Sequence, residues 1–383
     1  MRIPVRLFRA AVISIAAVGL SGCGLFSSHD ARFDPAELTE YTPSLSVSTR
    51  WSTSIGSGGD YGFAPQVVGD TAYAATPSGS VVALDLASGA VRWRVDDKPL
   101  QAGVGSDGDT TAVVTREGVV VAYDATGHER WRSQAASAVN VPPAVGNGIV
   151  AVRTTDYRIQ AFDAASGKLR WNIQRPGPAL ALRTSIRMAV APNLLIAGMP
   201  NGRLLVIDTA SGAVRWEGTV AASRGASDLE RISDVVGQPI TIGPLLCGVS
   251  YQGRITCFDV SQGGRAVWSQ DISSATGMVT DGQRIYLPDL RDRVHALDLK
   301  DGHEYWKQAA LLNRRLSAPA VIKNVVVVGD YQGYLHFLSR TDGALLARTQ
   351  IGSDPIQSAL LATPRGVLVQ TNSGNLSLVG VSD

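Results

Sequence analysis

The sequence predicts an all-β protein, an eight-bladed β-propeller of four-stranded antiparallel blades, from three observations. All seven tryptophans of the 383-residue chain occupy one position of an internal repeat, Ala-x-Asp-x-x-x-Gly-x-x-x-Trp, as in residues 83–93 and 161–171. Each repeat contains four short strand-like runs separated by turn residues. Counting a degenerate last copy that ends at Ala347, the intervals are 42, 38, 40, 45, 52, 38 and 41 residues. A period near forty built from short strands is typical of propeller blades.

The N-terminus has the features of a lipoprotein signal. Residues 1–22 contain three arginines, then an apolar stretch, and end directly before Cys23 in Leu-Ser-Gly-Cys. This order resembles the bacterial lipoprotein signal, which implies a lipidated Cys23. Because Gly24 rather than aspartate follows, the resemblance favours the outer membrane, with the protein facing the periplasm. A plain secretory signal and a retained transmembrane anchor are the alternatives. Residues 23–45 lack periodicity, and we expect a flexible tether.

The propeller itself is predicted over residues 46–383, and its first complete repeat justifies the blade assignment. Four strand-like runs are joined by Gly-Asp and Ser-Gly turns at residues 69–70, 78–79 and 88–89. Asp85 precedes the last turn, where a carboxylate can accept backbone N–H bonds. Trp93 is large enough to fill the wedge between neighbouring blades. We therefore expect structural roles for the repeated Asp and Trp.

The following blades repeat this pattern, and the last blade is predicted to close the ring. The chain ends in three strand-like runs, at residues 358–362, 366–371 and 375–380, with no fourth. The missing outer strand is predicted at residues 46–55, around Trp51. Pairing the two termini in one blade removes a free sheet edge.

Charge and composition exclude some partners. Residues 1–22 hold three of the 35 basic residues and no acid, so the mature chain has 32 basic and 33 acidic residues. Without a polybasic patch, nucleic acid is not an expected partner. Membrane attachment is then expected through the lipid on Cys23 rather than through charge.

Catalytic and metal-binding patterns are largely missing. The five histidines show no zinc-ligand spacing, so no metal site is predicted. Residues 103–108 match Gly-x-Gly-x-x-Gly, but a strand rather than a helix follows, so we reject a dinucleotide site. The repeat also resembles that of pyrroloquinoline-quinone dehydrogenases, which leaves an enzyme as one alternative. Those enzymes typically carry an adjacent Cys-Cys pair, and this sequence has none. We expect no cofactor and no catalysis.

Two cysteines remain after Cys23. Cys247 and Cys257 flank the turn at residues 251–254 and could face each other across a hairpin. Because Cys257 occupies the alanine position of other repeats, we expect two small buried side chains. An oxidising compartment also permits a disulfide, and the sequence leaves this open.

Two consecutive long intervals identify the candidate binding site. The extra residues lie at 174–185 and 221–236, after Trp171 and Trp216. Both segments join the outer strand of one blade to the inner strand of the next, so they should emerge on one face. They contain Leu180, Leu182 and Arg183 in the first segment and Asp234 in the second. Apolar anchors beside charges are typical of protein-binding surfaces.

The signal, the repeat and these segments together resemble the BamB lipoproteins of the outer-membrane β-barrel assembly machinery. The resemblance runs from Cys23 to the end of the chain and implies a non-catalytic scaffold for outer-membrane protein assembly. In that family a Leu-x-Leu-Arg loop and an Asp-x-Asp pair contact the periplasmic domains of BamA, the barrel subunit. The resemblance therefore assigns partner binding to Leu180, Leu182, Arg183 and Asp234, while Val236 replaces the second aspartate.

Two points stay open within this expectation. Unfolded outer-membrane proteins are a second class of partner that such a scaffold could bind. A glycan- or peptide-binding lipoprotein propeller of another pathway is the non-enzymatic alternative.

Overall fold

The protein is described by a computed structural model covering residues 31–178, 180–223 and 225–382. The chain divides into two units, residues 1–35 and residues 36–383. The described part of the first unit contains one 3-10 turn, Ala31–Phe33. The second unit contains eight four-stranded sheets, all antiparallel, which confirms the predicted eight-bladed propeller. Among the described residues, no helix is both long enough and apolar enough to cross a membrane.

Strands are numbered along the chain from β1 (Ser46–Ser54), and within blades 1 to 7 they run from the inner to the outer strand. Blade 1 contains β2 (Gln66–Val68), β3 (Thr71–Ala75), β4 (Ser80–Asp85) and β5 (Val91–Asp96). Blade 2 contains β6 (Leu100–Ser106), β7 (Thr111–Thr115), β8 (Val119–Tyr123) and β9 (Glu129–Gln134). Blade 3 contains β10 (Ala144–Gly146), β11 (Ile149–Arg153), β12 (Arg158–Asp163) and β13 (Leu169–Gln174). Blade 4 contains β14 (Ala189–Ala191), β15 (Leu194–Met199), β16 (Arg203–Asp208) and β17 (Val214–Thr219).

The second half of the ring follows the same order. Blade 5 contains β18 (Val235–Ile242), β19 (Leu245–Ser250), β20 (Ile255–Asp259) and β21 (Arg265–Gln270). Blade 6 contains β22 (Val279–Thr280), β23 (Arg284–Pro288), β24 (Val294–Asp298) and β25 (Glu304–Gln308). Blade 7 contains β26 (Ala320–Ile322), β27 (Val325–Gly329), β28 (Tyr334–Ser339) and β29 (Leu345–Gln350). Blade 8 contains β30 (Leu361–Thr363), β31 (Gly366–Gln370), β32 (Asn375–Ser382) and β1. Two short 3-10 turns lie between strands: Pro200–Gly202 connects β15 to β16, and Val260–Gln262 connects β20 to β21.

The repeated Trp and Gly connect the outer parts of neighbouring blades. Trp93 lies opposite Ala83 in blade 1 and donates its indole N–H to the carbonyl of Ala125 in blade 2, at 3.0 Å. A Cβ atom on Gly127 of blade 2 would lie 2.9 Å from the Trp93 ring, so only glycine fits beneath it. The predicted wedge role of the tryptophans is confirmed. Equivalent indole bonds of 2.8–3.0 Å join Trp51 to Leu86, Trp131 to Ala164, Trp171 to Thr209, Trp268 to Leu299 and Trp306 to Arg340.

The repeated aspartate closes the turn before the outer strand. The Oδ1 atom of Asp85 accepts the N–H groups of Ala87 and Ser88 at 3.1 and 2.9 Å. Its Oδ2 atom accepts from Arg92 at 2.8 Å. The hydrogen bonds from Arg92 and then Ser88 hold the pKa of Asp85 well below its usual range. The predicted turn role of this carboxylate is confirmed.

The two termini meet in blade 8. Strand β1 pairs with β32 along its whole length, from Ser46 opposite Ser382 to Ser54 opposite Asn375. Trp51 lies opposite Leu378, so the N-terminal strand supplies the repeat position that the C-terminal part lacks. The inner strand of blade 8 contacts the inner strand of blade 1, which closes the ring. The predicted closure by the N-terminal strand is confirmed.

The segment before β1 differs from the expected tether. Residues 36–45, here called the strap, lie along blade 7 and the connection that precedes it. Ala36 donates its N–H to the carbonyl of Leu312 at 2.8 Å, and Ser44 donates to Leu346 at 2.9 Å. The buried Arg314 also donates to the carbonyl of Ala36, at 2.8 Å. A flexible tether over residues 23–45 is therefore wrong for residues 36–44, because these backbone bonds hold them on the ring. Residues 23–30 lie outside the described residues.

Strands β19 and β20 of blade 5 carry the two cysteines opposite each other. Cys247 and Cys257 are both fully buried and form a disulfide, with Cα atoms 4.1 Å apart. The expected burial of both cysteines is confirmed, and the disulfide, which the sequence left open, is present. The reason is register: direct cross-strand partners lie close enough to bridge.

Residues 103–108, which match a dinucleotide fingerprint in letters, belong to β6 and the turn after it. A strand, β7, follows instead of a helix. The predicted strand after these glycines, where a dinucleotide fingerprint would need a helix, is confirmed.

Candidate partner-binding site

One face of the ring carries the two long connections. We call it the upper face; it contains the connections between blades and the turns between the second and third strands of each blade. The first long connection runs from the end of β13 to the start of β14, residues 175–188. The second runs from the end of β17 to the start of β18, residues 220–234. The predicted position of both segments on one face is confirmed by this strand order.

Asp234 joins the two connections. Its side chain is buried, with 2 % exposure, and its Oδ2 atom accepts the backbone N–H of Leu182 at 2.7 Å. Burial raises the pKa of Asp234 above its usual value, against the opposing effects of the Leu182 bond and the charge of Arg153. Arg153 is itself buried, and its guanidinium donates to the carbonyl of Gly198. Asp234, to which the resemblance assigned partner binding, thus has its side chain pointing into the protein, where it braces the two connections.

The Leu-x-Leu-Arg segment is divided between the interior and the solvent. Leu182 is half-buried and packs against the apolar cluster between blades 5 and 6. Leu180 is 43 % exposed, and the side chain of Arg183 is 65 % exposed. The same segment thus presents one apolar and one cationic side chain outward while Leu182 anchors it.

Arg183 pairs with a residue that the sequence did not indicate. Its guanidinium lies 2.6 Å from the Oδ2 atom of Asp60, in the connection between blades 8 and 1. The carboxylate of Asp234, on the neighbouring connection, accepts the backbone N–H of Leu182 instead. Asp60 is 123 residues away in the chain, and no local pattern marks it as a partner.

The residues after Arg183 extend the first connection toward the axis. The hydroxyl of Thr184 donates to the carbonyl of Ala275, between blades 5 and 6. Ile186 forms a parallel bridge with Gly237 of β18, with backbone bonds of 2.6 and 3.0 Å on either side. Gly237 has a φ of +69°, and a Cβ there would lie 2.6 Å from the Cα of Gly277. The close approach to Gly277 requires glycine at position 237, and the bridge to Ile186 fixes the first connection against blade 5.

Val236 stands where the resemblance noted from the sequence implies a second aspartate. The side chain is 1 % exposed and belongs to the same apolar cluster that Leu182 contacts. A backbone irregularity in β18 follows immediately, between Val236 and Ile240. An apolar residue suits this environment, where a carboxylate would lose its hydration.

The second connection adds an exposed apolar residue that sequence reasoning missed. Leu229 is 66 % exposed at the tip of a short turn. The turn is held by Glu230, whose Oε2 atom accepts the N–H groups of Ala226 and Ser227 at 2.7 and 3.2 Å. These backbone bonds lower the pKa of Glu230. The pattern Ser-x-x-Glu at residues 227–230 is the sequence signal that could have found this turn.

The described residues contain no group of three or more His, Cys, Asp or Glu side chains that could hold a metal ion. The site is thus defined by exposed Leu180, Leu229 and Arg183, supported by half-buried Leu182 and buried Asp234. Such a surface can bind a protein through apolar contacts and one charged pair.

Comparison with known proteins places this geometry in a family. The family model described as outer membrane protein assembly factor BamB matches residues 48–96 and 77–308. The outer membrane protein assembly factor BamB of Bordetella pertussis is 55 % identical over 377 residues, covering 98 % of each chain. The protein of the same name from Burkholderia pseudomallei is 36 % identical over 369 residues, covering 96 % of this chain and 97 % of the relative.

Solved structures agree on the fold. The crystal structure of BamB from Moraxella catarrhalis matches with a TM-score of 0.80 at 24 % identity, covering 88 % of this chain and all of that one. A quinohemoprotein alcohol dehydrogenase from Comamonas testosteroni matches with a TM-score of 0.67 at 14 % identity, covering 88 % and 76 % of the two chains. These two similarities concern the propeller architecture alone. From the family model and the relatives, which span nearly the whole sequence, we conclude that the chain belongs to the BamB family of outer membrane protein assembly factors.

Proposed function

We propose that this protein is a non-catalytic scaffold of outer-membrane protein assembly that binds the periplasmic domains of a BamA-like barrel subunit through its upper face. The name of the family, outer membrane protein assembly factor, supports a role in this process. Leu180 and Arg183 contact the partner directly in this proposal. Leu182 and Asp234 are positioning residues, since both face inward.

The observation that carries the proposal is the brace between Asp234 and Leu182. Exposed loops lose conformational entropy when they bind, and this loss weakens association. The 2.7 Å bond from the Leu182 backbone to the buried Asp234 carboxylate holds the first connection in place before any partner arrives. The outward side chains of Leu180 and Arg183 are therefore presented on a pre-organised segment.

Arg183 can exchange its ion pair with Asp60 for an ion pair with a carboxylate of the partner. Both side chains keep solvent contact, 65 % for Arg183 and 31 % for Asp60. Such exposed pairs contribute only about 0–1 kcal/mol, so giving one up costs little. A new pair that becomes buried in an interface gains more from the lower dielectric.

The lipid attachment completes the proposal. Residues 1–22 are a signal peptide, Cys23 carries the lipid and residues 23–35 lead to the strap. Cys23 lies outside the described residues, and its assignment rests on the sequence order described above. The protein is then held at the outer membrane facing the periplasm, where unfolded outer-membrane proteins could also reach it.

Affinity purification from detergent-solubilised outer membrane tests this function. Recovery of a large barrel protein with periplasmic domains is the expected result. A preparation that reduces redox dyes when supplied with a quinone cofactor and an alcohol would favour the dehydrogenase alternative. Recovery of glycan or peptide without any barrel protein would favour the binding lipoprotein of another pathway.

A further inference from the structure

The axial channel contains two cavities that the proposed function does not use. The larger, about 360 Å³, is lined by the inner parts of blades 5 to 8 and by residues 185–187. The smaller, about 310 Å³, lies against blades 2 to 4. Arg187 and Gln238 line both, so these two side chains form the partition between them.

Arg187 carries an uncompensated charge in this channel. Its guanidinium crosses from blade 4 to blade 1 and donates to the Oε1 atom of Gln66 at 2.7 Å and to the carbonyl of Ala64 at 2.5 Å. A third, longer bond reaches the carbonyl of Pro65 at 3.2 Å. These acceptors are neutral, and the described residues lining either cavity include no Asp or Glu. Desolvation lowers the pKa of Arg187 to about 10, which leaves it charged at neutral pH.

The larger cavity also contains two hydroxyl groups without a protein partner. Ser185 and Thr276 are 5 % and 8 % exposed, and neither side-chain oxygen has a hydrogen-bond partner among the described residues. Both residues line the cavity together with Arg187. Buried hydroxyls ordinarily have a partner, so their donors are available to an acceptor placed in the cavity.

The rest of the lining is mainly apolar. Ile186, Pro239, Met278, Pro319 and Leu360 form much of the wall. A strongly hydrated inorganic anion gains nothing from such a wall, whereas an organic anion can place its carbon skeleton there. Pockets of this size and mixture commonly hold small ligands.

We propose that the larger axial cavity is a binding site for a carboxylate attached to a compact apolar group. The carboxylate lies at Arg187 and accepts from the hydroxyls of Ser185 and Thr276, and the apolar group contacts the wall. The same chemistry is present in a free carboxylic acid and at the C-terminus of a peptide that ends in an apolar residue.

Calorimetric titration of the propeller with phenylacetate, and with its neutral analogue phenylacetamide, tests the charge requirement. We expect phenylacetate to bind with a dissociation constant on the order of millimolar, because it has few atoms to contact the protein. Phenylacetamide should bind at least tenfold more weakly. The peptide Gly-Gly-Phe, compared with its C-terminal amide, distinguishes the two sources. If the free peptide acid binds, peptide C-termini are among the ligands of this site. If it does not bind, the ligands are free carboxylic acids only.

Three variants locate the binding. Arg187→Gln should weaken phenylacetate binding roughly tenfold or more, and Thr276→Val, which keeps the side-chain shape, about fivefold. Arg215→Gln, an arginine with 62 % side-chain exposure on the opposite face, is the matched control and should bind as the parent does. If Arg187→Gln does not fold, Thr276→Val decides the question. Equal affinity for phenylacetate and phenylacetamide, no detectable phenylacetate binding, or unchanged binding by Thr276→Val would overturn the proposal.

Discussion

Neighbouring residues of the first long connection have opposite roles. Leu180 and Arg183 face solvent, while Leu182 packs into the cluster between blades 5 and 6 and gives its backbone N–H to Asp234. The motif residues therefore separate into one pair that can touch a partner and one pair that holds the loop. Variants of the exposed pair should lose partner binding alone, whereas variants of the inward-facing pair should lose stability as well.

Arg183→Glu should abolish co-purification of the BamA-like subunit without changing the melting temperature. Truncating a charged contact in an interface costs roughly 2–5 kcal/mol, at least tenfold in affinity. The intramolecular pair with Asp60 is exposed and contributes little to folding. Arg215→Glu, on the opposite face, is the matched control. Wild-type recovery of the partner by Arg183→Glu would mean that the interface lies on another face.

Asp234→Ala should lower both stability and partner binding. It leaves the Leu182 N–H unpaired and removes the negative charge nearest Arg153 inside the protein. A buried donor without a partner costs about 1–3 kcal/mol, measurable as a lower urea midpoint at pH 7. The binding loss should be smaller than that of Arg183→Glu. Asp234→Asn keeps an acceptor for Leu182 and should recover part of the loss; equal stability of Asp234→Ala and the parent would contradict the brace.

Cys23→Ala should leave a soluble periplasmic protein with its propeller intact. The lipid is expected on Cys23, whereas the strap and β1 bond to the ring through residues 36–54. Cell fractionation and near-ultraviolet circular dichroism of the variant measure these two properties. A variant that is unfolded, or that stays in the membrane fraction of cells lacking its partner, would speak against the lipid assignment.

At the scale of the element, the blades differ mainly in how they hold their third and fourth strands. Six tryptophans donate to the next blade, whereas blade 7 has Ala347 at this position, directly opposite Phe337. Blade 5 replaces the repeated alanine by Cys257 and gains a covalent bond to its second strand. The same blade supplies Asp234 and Gly237 to the binding face, so it combines a covalent brace with functional contacts.

Replacing Cys247 and Cys257 together by alanine should lower stability by about 2–3 kcal/mol, the loop entropy expected for a closed loop of roughly ten residues. Alanine is already the residue opposite the tryptophan in blades 1, 2, 3 and 6, so packing should tolerate it. Urea unfolding with and without reductant measures the effect. The parent should lose the same amount when reduced, and the variant should be insensitive; a reductant-sensitive variant would refute the assignment.

At the scale of the whole molecule, the ring depends on its closure. Strand β1 pairs along its length with β32, while the strap bonds residue 44 to blade 7 and residue 36 to the connection between blades 6 and 7. A propeller opened at one blade exposes strand edges and apolar blade faces together. The N-terminal segment thus stabilises both sides of the closing blade.

Two N-terminal deletions separate these contributions. Removing residues 24–45 should lower the melting temperature moderately by eliminating the strap. Removing residues 24–56 should destabilise the entire ring and promote aggregation, since it also eliminates β1 and Trp51. Melting temperatures by calorimetry give the order, and a longer deletion that melts within a few degrees of the parent would contradict the closure.

Much of the fold of this protein can be predicted from the sequence by itself, because one sequence pattern is repeated along the chain. Eight copies of one pattern determine the strand order, the turns, the Asp and Gly roles and the position of the tryptophans, each copy confirming the others. The unequal spacing after Trp171 and Trp216 also located the long connections on one face. Periodic side-chain patterns predict such features since they depend on local backbone geometry.

The tertiary structure alone decided which way the connection side chains face and what they contact. Arg183 meets Asp60 over 123 residues, Asp234 turns inward to Leu182 over 52, and Arg187 crosses the channel to Gln66 over 121. Irregular connections have no period, so their side-chain directions depend on where the closed ring places distant blades. The strap and the disulfide belong to the same class, because each depends on which chain segments the completed ring brings together.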